Sequence, residues 1–268
     1  ASNLPALPGL ALLATFVVLP MAFLIWEAFG DRAGGGLTAA NYLDAVRDPV
    51  YRSLLLRSLR VALEVVIISM AIGWPVAWAL ARVIGPRWRT TLLSLAVIPY
   101  LTSQLLLIYA MLVILAANGP LMDALHAVGL TGASTSINYT PTATLVMLVY
   151  ESVPTVILVM YSACERLDDR LLEAARTLGA PRLQVFLRVV WPLSVPATVA
   201  TFVLVFVQTA GAFAESAILG GPSGQLIGNA ISDQIQNGGS HEFAAALALT
   251  LLLAILLVVA VAAAAIGA

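Results

Sequence analysis

Charge is what this sequence has least of. Acidic and basic residues make up 10% of its 268 positions, where soluble chains carry roughly 25%, so an ordinary water-exposed domain is excluded. Lysine is absent: all 13 basic residues are arginine, and they nearly balance 14 acids. With a net charge of −1 and no basic patch, the chain carries no footprint for nucleic acid. Cys164 is the only cysteine, which rules out an internal disulfide framework and a C-x-x-C redox pair. No H-E-x-x-H and no phosphate-binding glycine loop occurs, so metal, redox and nucleotide chemistry have no motif here. The expectation is no metal site and no cofactor bound by this chain.

What is present is apolar. Hydrophobic residues account for 61% of the chain and the mean hydropathy is +0.98, so lipid is the solvent for most of the surface. About 20 helical residues cross the hydrocarbon layer, and six blocks meet that length: Leu7 to Phe29, Leu54 to Val83, Thr91 to Ala117, Thr142 to Ala163, Ala197 to Leu219 and Glu242 to Ile266. The first has no basic region before it and no clear cleavage site, so it reads as a retained helix and not a signal peptide. Gly73-Trp74-Pro75 and Pro99 predict bends in the second and third. The connections 30–48, 118–141 and 220–241 are polar and rich in turn residues. The expected fold is an all-α membrane protein of six transmembrane helices, one transmembrane domain over 1–268.

Arginine sets the orientation. Arg82, Arg87, Arg89, Arg166, Arg170, Arg176, Arg182 and Arg188 fall on one side of such a six-span arrangement, against Arg32, Arg47, Arg52, Arg57 and Arg60 on or near the other. Loops rich in arginine stay inside, so both termini, the short connection at Gly85 and the long connection after the fourth span are expected on the cytoplasmic side of the membrane.

That long connection, Glu165 to Pro196, is the only long charged segment in the second half. Leu171, Leu172, Ala175 and Leu178 keep helical spacing within it, Gly179 breaks the pattern, and Pro181 suits the first position of a second short helix running to about Val190 and ended by Pro192. The prediction is helix, glycine elbow, helix. Glu173-Ala174-Ala175, three residues, Gly179, nine residues, then Val189-Val190-Trp191-Pro192 resembles the EAA loop of ABC importer permeases, E-A-A, x3, G, x9, I-x-L-P, with Val189 and Trp191 as apolar departures. The likeness extends through the flanking helices to most of the chain.

The resemblance implies a cytoplasmic coupling helix between the fourth and fifth spans, at about 164–196. There Glu173, Ala174, Ala175, Arg176, Gly179 and Pro192 would engage an ATP-binding cassette ATPase dimer. ATP and Mg would be used by that partner, not by this chain. It also implies a second permease subunit, a paralogue, and a periplasmic or lipid-anchored substrate-binding protein.

Ionisable side chains at membrane depth cost about 2.5–3.5 kcal/mol each even on the lenient insertion scale. Glu64 has Arg60 one turn before it, and a local ion pair accounts for it. Glu151 and Glu215 have no basic residue within a turn. Each is explained either by a bond to another helix or subunit, by a protonated carboxyl, or by a place on the substrate path with Tyr150 and Gln208. The segment Ala217 to Pro222, ending Leu219-Gly220-Gly221-Pro222, resembles the LLGGP-type segment of the spermidine/putrescine branch of these permeases. That resemblance, with two unpaired carboxylates, makes a polyamine-like cation the leading expectation. An aminophosphonate, opine, amino acid or ferric iron is the alternative. From another class, Gly221-Pro222-Ser223-Gly224 fits the G-x-S-G of intramembrane serine proteases, but Ser223 falls in a turn and His126 and His241 border loops.

Overall fold

The structure, a computed structural model, describes residues 12, 14–31, 36–129 and 136–267. Every regular element among them is helical, apart from an isolated bridge between Gly30 and Leu37. The centre is a pair of long helices, α3 (Pro49–Arg82) and α7 (Pro141–Glu165). Both starts follow from local chemistry. The Asp48 side chain accepts a hydrogen bond from the Val50 amide at 2.8 Å, that of Thr140 accepts one from the Ala143 amide at 3.3 Å, and a proline follows each cap.

Between helices in lipid there is little hydrophobic drive, so close approach must come from small side chains. Ala62, Ser69, Gly73 and Ala77 form a buried stripe on α3, and Ala62 and Ala77 share a packed cluster with Val156 and Met160 of α7. Gly73 is the tightest point. A Cβ there would stand 2.7 Å from Cγ1 of Val156, so no larger residue fits without separating the helices. A third long helix, α10 (Trp191–Ala210), closes on both through Val205 and Phe206.

A fourth, α13 (His241–Gly267), packs against α1 (Leu19–Ala28), which is entered through a π-helical turn, Ala14–Val18. The amphipathic α2 (Ala40–Arg47) ties these together: buried Asn41 donates Nδ2 hydrogen bonds to the carbonyls of Ala28 and Gly30 at 3.2 and 2.8 Å.

Among the described residues four helical stretches are long and apolar enough to cross a bilayer, Pro49–Arg82, Pro141–Glu165, Phe186–Ala210 and His241–Ala262. The expected first span begins outside the described residues, which show its Ala14–Ala28 part as a shorter apolar helix. The expected third span is not one bent helix. It is two, α4 (Pro86–Leu101) and α5 (Gln104–Ile114), meeting at 102°. Pro99 removes one intrahelical bond, and Thr102 and Ser103 then take ψ near 140° and 131°, ending α4 before α5 starts.

The fifth span departs from expectation at both ends. Pro192 does not stop the preceding helix. The chain passes from α9 (Arg182–Val185) through a π-helical turn, Phe186–Val190, straight into α10, and the Trp191 amide bonds back to Phe186. The wider turn shifts the hydrogen-bond register just where proline lacks a donor, so the helix continues. At the other end α10 stops at Ala210. Gly211 to Phe213 break the path, and α11 (Ala214–Leu219) is a separate short helix. The polar connections also contain helices that their composition concealed: α6 (Pro120–Ala127) and α12 (Ile227–Gln236).

Candidate functional site

Two features stand at different depths of the bundle. The first is the charged elbow. At that end Arg82 of α3 donates from Nη2 to the carbonyls of Cys164 and Leu167, at 2.7 and 2.5 Å, and so caps the end of α7. Arg89 of α4 reaches Glu165 Oε1 at 3.3 Å and Tyr161 Oη at 3.2 Å, while Tyr161 donates to the same carboxylate at 2.6 Å. The turn after α3 and the turn after α7 are thereby fastened together, bringing Arg82, Arg89 and the charged elbow to one end.

From there α8 (Asp169–Thr177) starts with the Asp168 carboxylate accepting from the Arg170 amide at 2.9 Å. Its inner side, with Leu172 buried and Ala175 beside it, joins Val185 and Val190 over the stacked indoles of Trp74 and Trp78. Phe186 meets Trp74 edge-on at 4.9 Å. Glu173 is exposed, Leu171 is 49% exposed and Leu178 is 87% exposed.

Gly179 has φ +76°, and the Ala180 amide bonds the Ala175 carbonyl at 3.1 Å. This is the six-to-one closure of a Schellman turn, which calls for the left-handed region at the glycine. The expected helix, elbow and second helix are therefore all present. Ala175 faces its own chain and not outward, and Pro192 lies inside a helix. The side chains of Ala174 and Arg176 lie outside the described residues.

The second feature is a cavity of about 170 Å³ where the two broken paths meet. Glu151 enters it from α7, one turn before Pro154. Gln208 comes from the last turn of α10, Glu215 from the first turn of α11 and Gln104 from the start of α5. Glu215 is 2% exposed. Its Oε1 accepts from Gln104 Nε2, and Glu151 lines the same cavity. Among the described residues, no arginine or histidine lines the cavity. Two unit charges about 4 Å apart repel by about 4 kcal/mol at an effective dielectric near 20, and a bound cation turns that repulsion into attraction. The amide oxygens of Gln104 and Gln208 can accept further donors. The arrangement suits an ammonium group.

Of the residues expected on a substrate path, Glu151, Gln208 and Glu215 come together and Tyr150 does not. Tyr150 faces an apolar groove shared by α3, α4 and α7, beside Pro99 and Pro154. Gln104 was missed, although Thr102-Ser103-Gln104 is a polar interruption of an apolar run and marks the break. Tyr100 was missed as well: its hydroxyl bonds that of Thr155, next to the space between Gln104, Glu151 and Gln208. Glu64 carries the ion pair expected of it, with Arg60 Nε 2.8 Å away.

A family model described as "Binding-protein-dependent transport system inner membrane component" matches residues 69–266. The spermidine/putrescine transport system permease protein PotB of Escherichia coli K12 is 36% identical over 242 residues, covering 88% of this chain and 87% of the relative. Among solved structures, a bacterial ABC transporter involved in import of the acidic polysaccharide alginate aligns over 97% of this chain and 92% of its own, with TM-score 0.75 and 18% identity. The same transporter in complex with an alginate pentasaccharide-bound periplasmic protein gives TM-score 0.73 at 18% identity, over 96% and 90% of the two chains. At that identity the solved structures speak to fold alone.

Proposed function

The chain belongs to the family of binding-protein-dependent transport system inner membrane components; it is a multi-pass permease subunit of an ABC importer, and on that premise we propose that its cargo is a small polyamine-like cation. The observation that carries this is the meeting of Glu151 and Glu215 in one cavity whose lining, among the described residues, includes no basic side chain. A polyamine offers ammonium groups for the two carboxylates and methylenes for apolar wall residues such as Leu148 and Phe213. The spermidine/putrescine permease at 36% identity supports the same class.

In this reading the chain crosses the membrane six times, with the α4 and α5 pair as one broken span and Ala14–Ala28 as the described part of the first. The end bearing Arg82, Arg87, Arg89 and the elbow faces the cytoplasm, since loops rich in arginine are retained inside. Glu173, Arg176 and Gly179 then meet a cassette ATPase, with Ala174 allowing close approach, and Ala175 and Pro192 shape the elbow from within. The ATPase uses ATP and Mg. A paralogous permease completes the path, and a periplasmic binding protein delivers cargo to the opposite end.

The test is uptake by the assembled importer in proteoliposomes with its binding protein, offered labelled spermidine, putrescine, aminoethylphosphonate and neutral amino acids in turn. The expected result is ATP-dependent uptake of a di- or polyamine, competed by other polyamines. Uptake confined to an anionic or zwitterionic solute would overturn the cargo assignment while leaving the permease role intact.

A further inference from the structure

Glu215 sits on a helix of only six residues, too short to hold its own direction. Beyond the bond from Gln104, the position from which its carboxylate enters the cavity must therefore come from whatever clamps α11. Leu219 anchors the far end among Ile108, Met111 and Met147. At the near end the clamp is polar and comes from a different helix.

Asn229, 6% exposed in the first turn of α12, makes three contacts there. Its Oδ1 accepts from the Leu226 amide at 2.9 Å and lies against the Ser216 hydroxyl, and its Nδ2 donates to the Phe213 carbonyl at 3.1 Å. Phe213 is two residues before Glu215 and Ser216 one after it, so a single amide brackets the carboxylate-bearing residue. The Leu226 amide also fixes which way the Asn229 amide faces, because a flipped group would set donor against donor. Aspartate or serine would not reproduce both a donor to Phe213 and acceptors for Leu226 and Ser216.

The clamp is itself rooted. The Ile227 amide donates to Ser58 Oγ on α3 at 2.8 Å. Gly228 lies so close to the break before α11 that a Cβ would stand 2.8 Å from that of Phe213. Toward its other end α12 bonds α3 again, Gln234 Nε2 to Tyr51 Oη at 3.2 Å. The start of α11 is thus held by a helix fixed to the central α3, not by α10, from which Gly211 to Phe213 separate it.

We propose that Asn229 is a positioning residue for transport: by bridging Phe213 and Ser216 to the start of α12 it holds Glu215 in the cavity in the orientation that receives the cation. The proposal rests on the cation-path reading of Glu215, and its test separates the two. Uptake is measured for Glu215→Gln, Asn229→Ala and the double variant, each in the assembled importer with its binding protein and normalised to the amount of complex recovered.

The expected result is that each single variant lowers uptake by about 10- to 100-fold, the range for an ångström-scale misplacement at a reacting or binding group. The double variant should lie within about twofold of Glu215→Gln alone, because two residues acting through one group are not additive. A merely structural role for Asn229 gives multiplied effects instead, and that outcome overturns the proposal, as does normal uptake by Asn229→Ala. Normal uptake by Glu215→Gln overturns the cation-path reading beneath it. Should Asn229→Ala fail to assemble, Asn229→Asp enters the same cycle: it keeps acceptors for Leu226 and Ser216, loses the donor to Phe213, and must show the same non-additivity with Glu215→Gln.

Discussion

Replacing Gly179 by valine is expected to cut uptake by the assembled importer about tenfold or more while the chain still enters the membrane. The obstacle to valine is conformational. Gly179 has φ +76°, yet among the described residues no atom beyond its chain neighbours lies within 4 Å of where a Cβ would be, so a clash with them is not the obstacle. A β-branched residue held in the left-handed region costs about 1–3 kcal/mol, and each 1.36 kcal/mol is about a factor of ten. The elbow relieves that strain by opening the Ala180 to Ala175 bond, which changes the angle between α8 and α9. If the elbow transmits the movement of the ATPase, hydrolysis continues and uptake is lost. Asparagine tolerates this conformation better than other residues with a side chain, so Gly179→Asn should retain most uptake. Uptake by Gly179→Val at the normal rate would remove the elbow from the coupling path.

Glu151→Gln is expected to have a comparable effect through a different route. The amide has nearly the shape of the carboxylate, so packing at the cavity changes little. What disappears is a group that can carry a negative charge beside a bound cation. Hydrogen bonds to charged groups contribute about 1.5–3 kcal/mol, which corresponds to about a 10- to 100-fold fall in uptake of a cation at limiting concentration. ATP hydrolysis by the complex without cargo should stay near normal, since Glu151 lies on α7 away from the elbow. Unchanged uptake at limiting cargo would place Glu151 outside the path.

The elbow was legible because its signals are local. Gly179 and Pro181 each constrain the backbone at their own position, and the Schellman closure follows within five residues. The membrane helices were legible from hydropathy, but only over the stretch that lipid contacts. The second was expected from Leu54, whereas the Asp48-Pro49 cap starts α3 at Pro49, because a helix extends to its cap whether or not the last turns are apolar.

Proline misled where the backbone had another way to satisfy itself. Pro192 reads as a stop, yet the π-helical turn at Phe186–Val190 absorbs it. The cavity was half legible. The cost of isolated carboxylates in lipid singled out Glu151 and Glu215 one by one, but their convergence depends on the breaks after Leu101 and Ala210, and on which face of α7 packs inward. That last choice sends Tyr150 into the apolar groove and brings in Gln104, which no local pattern pairs with Glu215. Short polar helices such as α6 and α12 escaped because composition alone reads them as loops, and α12 carries Asn229.

The account turns on the elbow lying inside the cell in the grip of an ATPase, and side-specific labelling at Leu178 addresses that most directly. Leu178 is 87% exposed, whereas Cys164, the natural thiol, is fully buried, so a Leu178→Cys chain presents one reactive sulfur. With a membrane-impermeant thiol reagent, labelling is predicted in inside-out vesicles and not in right-side-out ones, and it should be suppressed when the ATPase is assembled on the permease. Labelling from the outer face, or labelling from the inner face that the ATPase leaves unchanged, would contradict the account.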